Sequence, residues 1–292
     1  MAIRTDLAIE ALESCRPTSD NATQTEQDLE GFQLTQVHIH REDAALGRPP
    51  GKYYTLSIDA LLHREEDAFS RACRAVAQSL EQLTPQLCDD PRAPVLVIGL
   101  GNRAVTPDAI GPLCCQNVLA TRHLVERSPA QFRAFRPVAV LAPGVLGMTG
   151  VETGEIVLGV IDRIRPGLVI AVDALAARRL SRLMCTIQMT DTGIVPGSGV
   201  GNARAAITRK ELGVPVLAVG VPTVVDGATL AADIAAQTGA SCEALDDLST
   251  PVLVTTRDVD QQVADAARVI GYGINLFLHP TLDIADIDLF LS

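Results

Sequence analysis

The chain has 292 residues, with 24 Lys and Arg against 35 Asp and Glu, and so a formal charge of −11. A hydrophobic content of 47% supplies a large core and excludes a disordered chain. The acidic balance argues against generic nucleic-acid binding, which needs clustered cations. Aromatic content of 3% without tryptophan argues against stacking platforms for bases or sugars.

The first ten residues place Asp6 and Glu10 where a signal peptide needs an apolar run. No apolar stretch approaches the ~18 residues of a membrane span, and the longest, residues 213–225, is broken by Pro215 and Pro222. Seven cysteines, Cys15, Cys73, Cys88, Cys114, Cys115, Cys185 and Cys242, contain no C-x-x-C pair, which fits a reducing compartment. The expectation is a cytoplasmic protein without membrane association.

Residues 14–31 are polar and acidic and read as a loop or irregular arm. Residues 53–58 alternate and predict a strand. The spacing of Leu61, Leu62, Ala68, Phe69, Ala72, Val76, Leu80 and Leu83 predicts a helix over 59–83. Pro85 and residues 88–92 then read as a linker. Beyond it, short continuous apolar runs fall at 95–100, 138–141, 168–172, 185–189, 214–219 and 252–255. Such runs mark strands buried on both faces. Helical stretches are predicted at 113–125, 154–165 and 259–270. The fold class is α/β, a three-layer sandwich around a mostly parallel or mixed sheet of five or six strands. The organisation expected is one domain over 7–292, with an N-terminal subregion to about 91 and a core over 92–292.

Ligands of open α/β sheets bind beyond the carboxyl ends of the strands. Two acids fall there: Asp108, in the loop leaving the first core strand, and Asp173, directly after the run 168–172. A carboxylate at the end of a buried strand is unfavourable unless solvated, paired or used. Two that share one proton would let the ionised member activate water and the protonated member donate to a carbonyl oxygen. The alternative at each position is a helix cap or a turn.

Other motifs are weaker. Gly99-Leu100-Gly101-Asn102-Arg103-Ala104 matches the dinucleotide fingerprint, but Pro107 and Gly111-Pro112 delay the helix that should follow, and the next strand ends without a ribose-binding acid. A nucleotide- or dinucleotide-binding enzyme using this loop is the second functional reading. Pro196-Gly197-Ser198-Gly199-Val200-Gly201-Asn202 lacks a P-loop lysine, although its backbone N–H groups suit a peptide or an oxyanion if it borders the site. Asp191-Thr192-Gly193 spells the D-T-G of pepsin-like proteases in an unrelated context. His38 and His40 share a face if extended, without a neighbouring acid or Cys to complete a metal set.

Long strings then carry a family resemblance: Gly99-Leu100-Gly101-Asn102 with Val105-Thr106-Pro107-Asp108-Ala109; Pro143-Gly144-Val145 with Gly147-Met148-Thr149-Gly150; Val172-Asp173-Ala174-Leu175-Ala176-Ala177; Asp191-Thr192-Gly193-Ile194; Gly220-Val221-Pro222-Thr223; and Gly271-Tyr272-Gly273-Ile274-Asn275. Over nearly its whole length the chain resembles the germination proteases of spore-forming bacteria. The resemblance implies an α/β core like that of hydrogenase maturation endopeptidases and an atypical aspartic-type endopeptidase. The proposed catalytic aspartates of the family fall on Asp108 and Asp173, with Glu152 and Asp191 as candidate orienters. It also implies small acid-soluble spore proteins as substrates, a homotetramer, residence in the spore core, and a zymogen that removes its own N-terminus. Family cleavage sites read acidic–apolar–Ala–x–Glu, and Thr5-Asp6-Leu7-Ala8-Ile9-Glu10 has that form. The expected self-cleavage lies between Asp6 and Leu7, with residues 1–6 as the prosegment. No cofactor is expected, and a metal-assisted mechanism stays open beside the Asp pair.

Overall fold

The computed structural model describes residues 5–14, 21–42, 47–85, 90, 92–200, 204–238 and 252–292. Cys15, Cys88, Cys242, Gly201, Asn202 and the first four residues of the expected prosegment lie outside them. In chain order the elements are α1 (Ala8–Ser14), β1 (Ala22–Leu29), β2 (Phe32–Ile39), β3 (Gly51–Ser57), α2 (Asp59–Leu62), α3 (Ala68–Leu83), β4 (Val95–Gly99), α4 (Ile110–Cys115), α5 (Arg122–Arg127), β5 (Val138–Leu141), α6 (Leu146–Thr149) and α7 (Thr153–Ile164). Then come β6 (Leu168–Ala177), β7 (Thr186–Thr190), α8 (Arg209–Leu212), β8 (Val216–Asp226), α9 (Gly227–Thr238), β9 (Leu253–Val254), α10 (Val259–Leu278) and α11 (Ile284–Leu291).

The described strands form one mixed sheet in the order β1-β2-β3-β7-β8-β6-β4-β5, with β9 added to β8. The strands β5, β4, β6 and β8 are parallel, whereas β7 runs antiparallel to β8 and β1–β3 form an antiparallel meander. Side chains of β4 alternate between two cores. Val95 and Val97 pack with α3, α4 and α10, while Leu96 and Ile98 pack with α7. Burial on both faces explains the unbroken apolar runs and makes the three-layer α/β sandwich that the sequence predicts.

Several predicted elements differ. The described strands number nine rather than five or six. β1 falls in the stretch read as a loop and exposes its middle six residues, so it has no apolar signature. Backbone pairing holds it to β2 in register from Ala22↔Ile39 to Leu29↔Phe32. The connecting residues, Glu30 and Gly31, both take positive φ (55° and 82°), as a two-residue type I′ hairpin requires.

The helix predicted over 59–83 is two helices, because Arg64 and Asp67 adopt left-handed φ within the charged string Arg64-Glu65-Glu66-Asp67. The helix predicted over 113–125 is likewise split into α4 and α5. Between them the Leu119 N–H donates to Asn275 Oδ1 (2.9 Å), and the Thr121 hydroxyl donates to the Arg136 carbonyl (2.5 Å). The Asn275 side chain thus takes a backbone donor that a continuous helix would use, and Thr121 ties the break to the start of β5. α10 runs eight residues past its predicted end because its buried face continues through Tyr272, Ile274 and Leu278. β6 also outruns its apolar core, so Asp173 lies inside the strand rather than after it.

Candidate active site

β6 is flanked by β8 along its length, to Ala177↔Val225. On its other side β4 stops earlier, at the Gly99↔Val172 pair, followed by the Leu100 N–H bond to the Val172 carbonyl at 2.8 Å. The sheet therefore has a step, and Asp173 is the first residue of β6 beyond it. Asp173 has the same parity as Val169 and Ala171, which face the α7 side. It is 4% exposed. Its Oδ1 accepts the Ala174 N–H at 2.9 Å.

Asp108 reaches the same place from the loop after β4. The chain turns through Leu100 to Val105 and forms a 3-10 turn at Thr106–Asp108 before α4. The Asn102 N–H donates to Asp108 Oδ2 at 2.8 Å and lies 3.0 Å from the Asp108 carbonyl, closing the loop on itself. Gly101 has φ of +109°, and a Cβ there would stand 2.1 Å from the Asp108 carbonyl oxygen, so the turn excludes any side chain. Thr223 on β8 donates its hydroxyl to the Pro107 carbonyl at 2.6 Å and ties the turn to the sheet.

Both aspartates line one cavity of about 460 Å³, with Leu100, Val145, Thr153, Pro196 and Thr255 among its walls. Burial raises the pKa of Asp108, partly offset by the Asn102 N–H. Burial raises that of Asp173 much further, and the Asp108 charge adds to the effect, followed by a smaller one from Asp6. Both shifts favour the protonated carboxyl, that of Asp173 the more strongly.

The N-terminal segment borders this cavity. The Asp6 N–H donates to the Ala176 carbonyl, and the Ala176 N–H donates to Asp6 Oδ2, both at 2.9 Å. Ser198 donates to Asp6 Oδ1 at 2.7 Å. Leu7 is fully buried among Ile9, Leu175, Ala177, Leu183 and Val225. The Glu10 carboxylate accepts the N–H groups of Arg178 (2.7 Å) and Arg179 (3.1 Å), as well as the Thr5 hydroxyl. Arg48 donates to the Thr5 carbonyl at 2.6 Å. Asp6 also lines a second cavity of about 270 Å³, which includes Arg48, Tyr53, Thr192 and Ser198.

The remaining candidates separate. Glu152 lies on the wall of the larger cavity, at the N-cap of α7, with an exposed 3.9 Å contact to Arg204. Asp191 lines neither cavity. Its Oδ1 accepts the Lys52 N–H at 2.8 Å and joins the end of β7 to β3. Pro196 and Gly197 do border the site, as the glycine-rich loop requires if it is to act there. In the fingerprint loop the Asn102 N–H is already taken by the Asp108 carboxylate, so a phosphate would meet an acid there. The His38 and His40 rings lie 4.3 Å apart, tilted by 57°. Among the described residues, no group of three or more His, Cys, Asp and Glu side chains is arranged to hold a metal. Sequence reasoning missed Asn102, Thr223, Ser198 and the N–H groups of residues 176, 178 and 179. Backbone donors have no side-chain signature, although the glycine-rich string did mark the Ser198 loop.

Fold and site together define an α/β protein with two carboxylates lining one cavity beyond the end of β4. Residues 5–238 match the family model described as germination protease. The chain is 43% identical to the germination protease of Caldanaerobacter subterraneus subsp. tengcongensis, over 97% of this chain and 96% of that one. It is 36% identical to that of Clostridium acetobutylicum, over 100% and 99%. Among solved structures, the NiFe hydrogenase maturation protease HycI from Thermococcus kodakarensis KOD1 aligns with a TM-score of 0.36 and 16% identity, over 67% of this chain and 98% of that one. The chain belongs to the germination protease family. It is accordingly a peptidase of spore germination that acts on protein substrates. Among the described residues no helix is long and apolar enough to cross a membrane.

Proposed function

We propose that the chain is an aspartic-type endopeptidase that opens the degradation of small acid-soluble spore proteins in the spore core, after removing its own N-terminus between Asp6 and Leu7. The observation that carries the reading is the convergence of Asp108, from the loop after β4, and Asp173, on β6, on one cavity. Asp173, the more deeply buried, holds the shared proton and donates it to the scissile carbonyl oxygen. Asp108 is steadied in its ionised form by the Asn102 N–H and takes a proton from the attacking water. Water oxygen bonds to the carbonyl carbon to give a gem-diol; as the C–N bond breaks and the C=O reforms, Asp108 passes its proton to the leaving amine and a gem-diol hydroxyl returns its proton to Asp173.

The self-cleavage reading draws support from the placement of Asp6 on the wall of the cavity that holds the pair. Catalysis is proposed without a metal, with metal assistance as the alternative that a chelator tests. A homotetramer and the absence of direct nucleic-acid contact complete the reading. The decisive experiment incubates a purified small acid-soluble spore protein with the full chain and with Asp108→Asn and Asp173→Asn. Limited cleavage beside acidic residues by the parent, lost in both variants, is expected. Equal cleavage by either variant removes that residue from the mechanism.

A further inference from the structure

One wall of the larger cavity is attached only at its base. It is the segment 144–151, between β5 and α7, which carries α6 and contributes Val145 and Leu146 to the cavity that holds Asp108 and Asp173. No residue of α6 is buried, and residues 147–151 are all exposed. The hydrogen bonds described for 145–151 stay inside the segment. The Val145 carbonyl accepts the N–H groups of Met148 (2.9 Å) and Thr149 (3.1 Å), and the Thr149 hydroxyl donates to the Val151 carbonyl at 2.9 Å. The base is closed by Thr153 of α7, whose hydroxyl donates to the Gly144 carbonyl at 3.3 Å. A segment bonded to itself and anchored at its base can move as a unit without breaking the sheet.

Both ends of the movable part are glycines with left-handed backbone, Gly144 at φ +77° and Gly150 at φ +71°. Glycine absorbs changes of backbone angle there that a side chain would resist. A Cβ at Gly147 or Gly150 would meet nothing within 4 Å, so there is room around both. Met148 is 67% exposed and Val151 41%, and two other residues of the same region, Val105 and Leu253 in the cavity wall, are 48% and 52% exposed. Exposed apolar groups gathered around one cavity stay hydrated until something covers them. A polypeptide in the cavity would cover the wall from one side and the segment from the other. Methionine, unbranched and polarisable, suits contact with side chains of varied shape.

We propose that residues 144–151 are a lid that folds over a bound polypeptide substrate, hinged at Gly144 and Gly150, with Met148 laid on an apolar side chain of that substrate. Closure shields Asp108 and Asp173 from bulk water while the peptide bond is attacked. The lid rests on the peptidase reading for its substrate.

The chain has no tryptophan, so Met148→Trp in the full chain is a lone fluorescent reporter. Mixed with an excess of a purified, tryptophan-free small acid-soluble spore protein, its emission is expected to shift to shorter wavelength as the lid closes. It should return once the substrate is consumed. Leu289→Trp, at a position 75% exposed and bordering neither cavity, should show no shift. Met148→Ser should raise KM about tenfold, the scale of burying part of one apolar side chain, with kcat much less affected. Its melting temperature should match the parent's, because the side chain is exposed in the free protein. If Met148→Trp blocks cleavage, Val151→Trp takes its place as the reporter. Emission that stays unshifted during turnover overturns the lid, even with the parent cleaving normally. A shift with KM unchanged in Met148→Ser keeps the lid and overturns the contact assigned to Met148. No cleavage by the parent overturns the peptidase reading, and the lid with it.

Discussion

The carboxylate of Asp108 acts on that of Asp173 across their common cavity. Burial is the larger cause of the raised Asp173 pKa, and the neighbouring charge is the next. A group whose folded pKa is raised contributes stability at low pH and loses it as pH climbs from the ordinary aspartate value through the raised one. At neutral pH the pair therefore opposes folding. Asp173→Asn should abolish cleavage, by about 10³-fold or more in kcat, yet raise the melting temperature at pH 7 by about 2–4 °C, as about 1 kcal/mol does in a domain of similar size. Calorimetry checks the second half, and a lowered melting temperature would contradict it.

The same proton sets the pH profile. Activity requires one carboxylate ionised and one protonated, and both pKa values are raised. The profile of kcat/KM should be bell-shaped, with its acid limb above the ordinary aspartate pKa near 3.9 and an alkaline fall where Asp173 loses its proton. A profile flat across both limbs would remove the shared proton from the mechanism.

Gly101 is where the Asp108 loop is least able to change. Its φ of +109° and the 2.1 Å approach of the Asp108 carbonyl leave no room for a methyl group. Gly101→Ala should destabilise the fold by about 2–4 kcal/mol and reduce cleavage more than tenfold. Urea titration alongside initial rates would reveal a tolerant loop.

His279 is expected to make the protein acid-sensitive away from the site. It is 1% exposed, both ring nitrogens lack a hydrogen-bond partner among the described residues, and the Phe135 ring lies 5.2 Å from it. Burial, aided by the Arg136 charge, lowers its pKa to about 4. The unfolded chain then binds a proton that the folded chain refuses. Stability falls as pH drops from about 6.5 toward about 4, by at most about 3 kcal/mol. His279→Phe should flatten that part of the stability curve, measured by denaturant midpoints between pH 4 and 7.

Chelation supplies a simpler check. Peptidase activity should persist after dialysis against EDTA, and loss restored by a divalent cation would count against a purely carboxylate mechanism.

Much of the fold is written locally. The five residues of β4 are apolar without interruption because both faces are covered, and the same holds for the start of β6. β1 left no such trace, since an edge strand exposed along its middle is specified by backbone pairing and the Glu30-Gly31 turn. The breaks at Arg64–Asp67 and around Thr121 were hidden for a related reason. An apolar periodicity can run on through a break that left-handed backbone or a distant partner such as Asn275 imposes.

The acidic composition seen at the outset now divides into distinct roles. The sequence alone determined an α/β core, an acid in the loop after one strand, an acid on another, and a cleavage-like string at the N-terminus. Only the tertiary structure decided that β6 lies between β4 and β8 and outlasts β4, so that Asp108 and Asp173, 65 positions apart, share a cavity. It also decided that Asp6 lies against Ala176 and Ser198, and that Asp191 Oδ1 accepts the Lys52 N–H between β7 and β3. The physical reason is register. Which carboxylates meet is set by strand order and by where each strand stops, and those are properties of hydrogen-bonded pairs that no single segment carries.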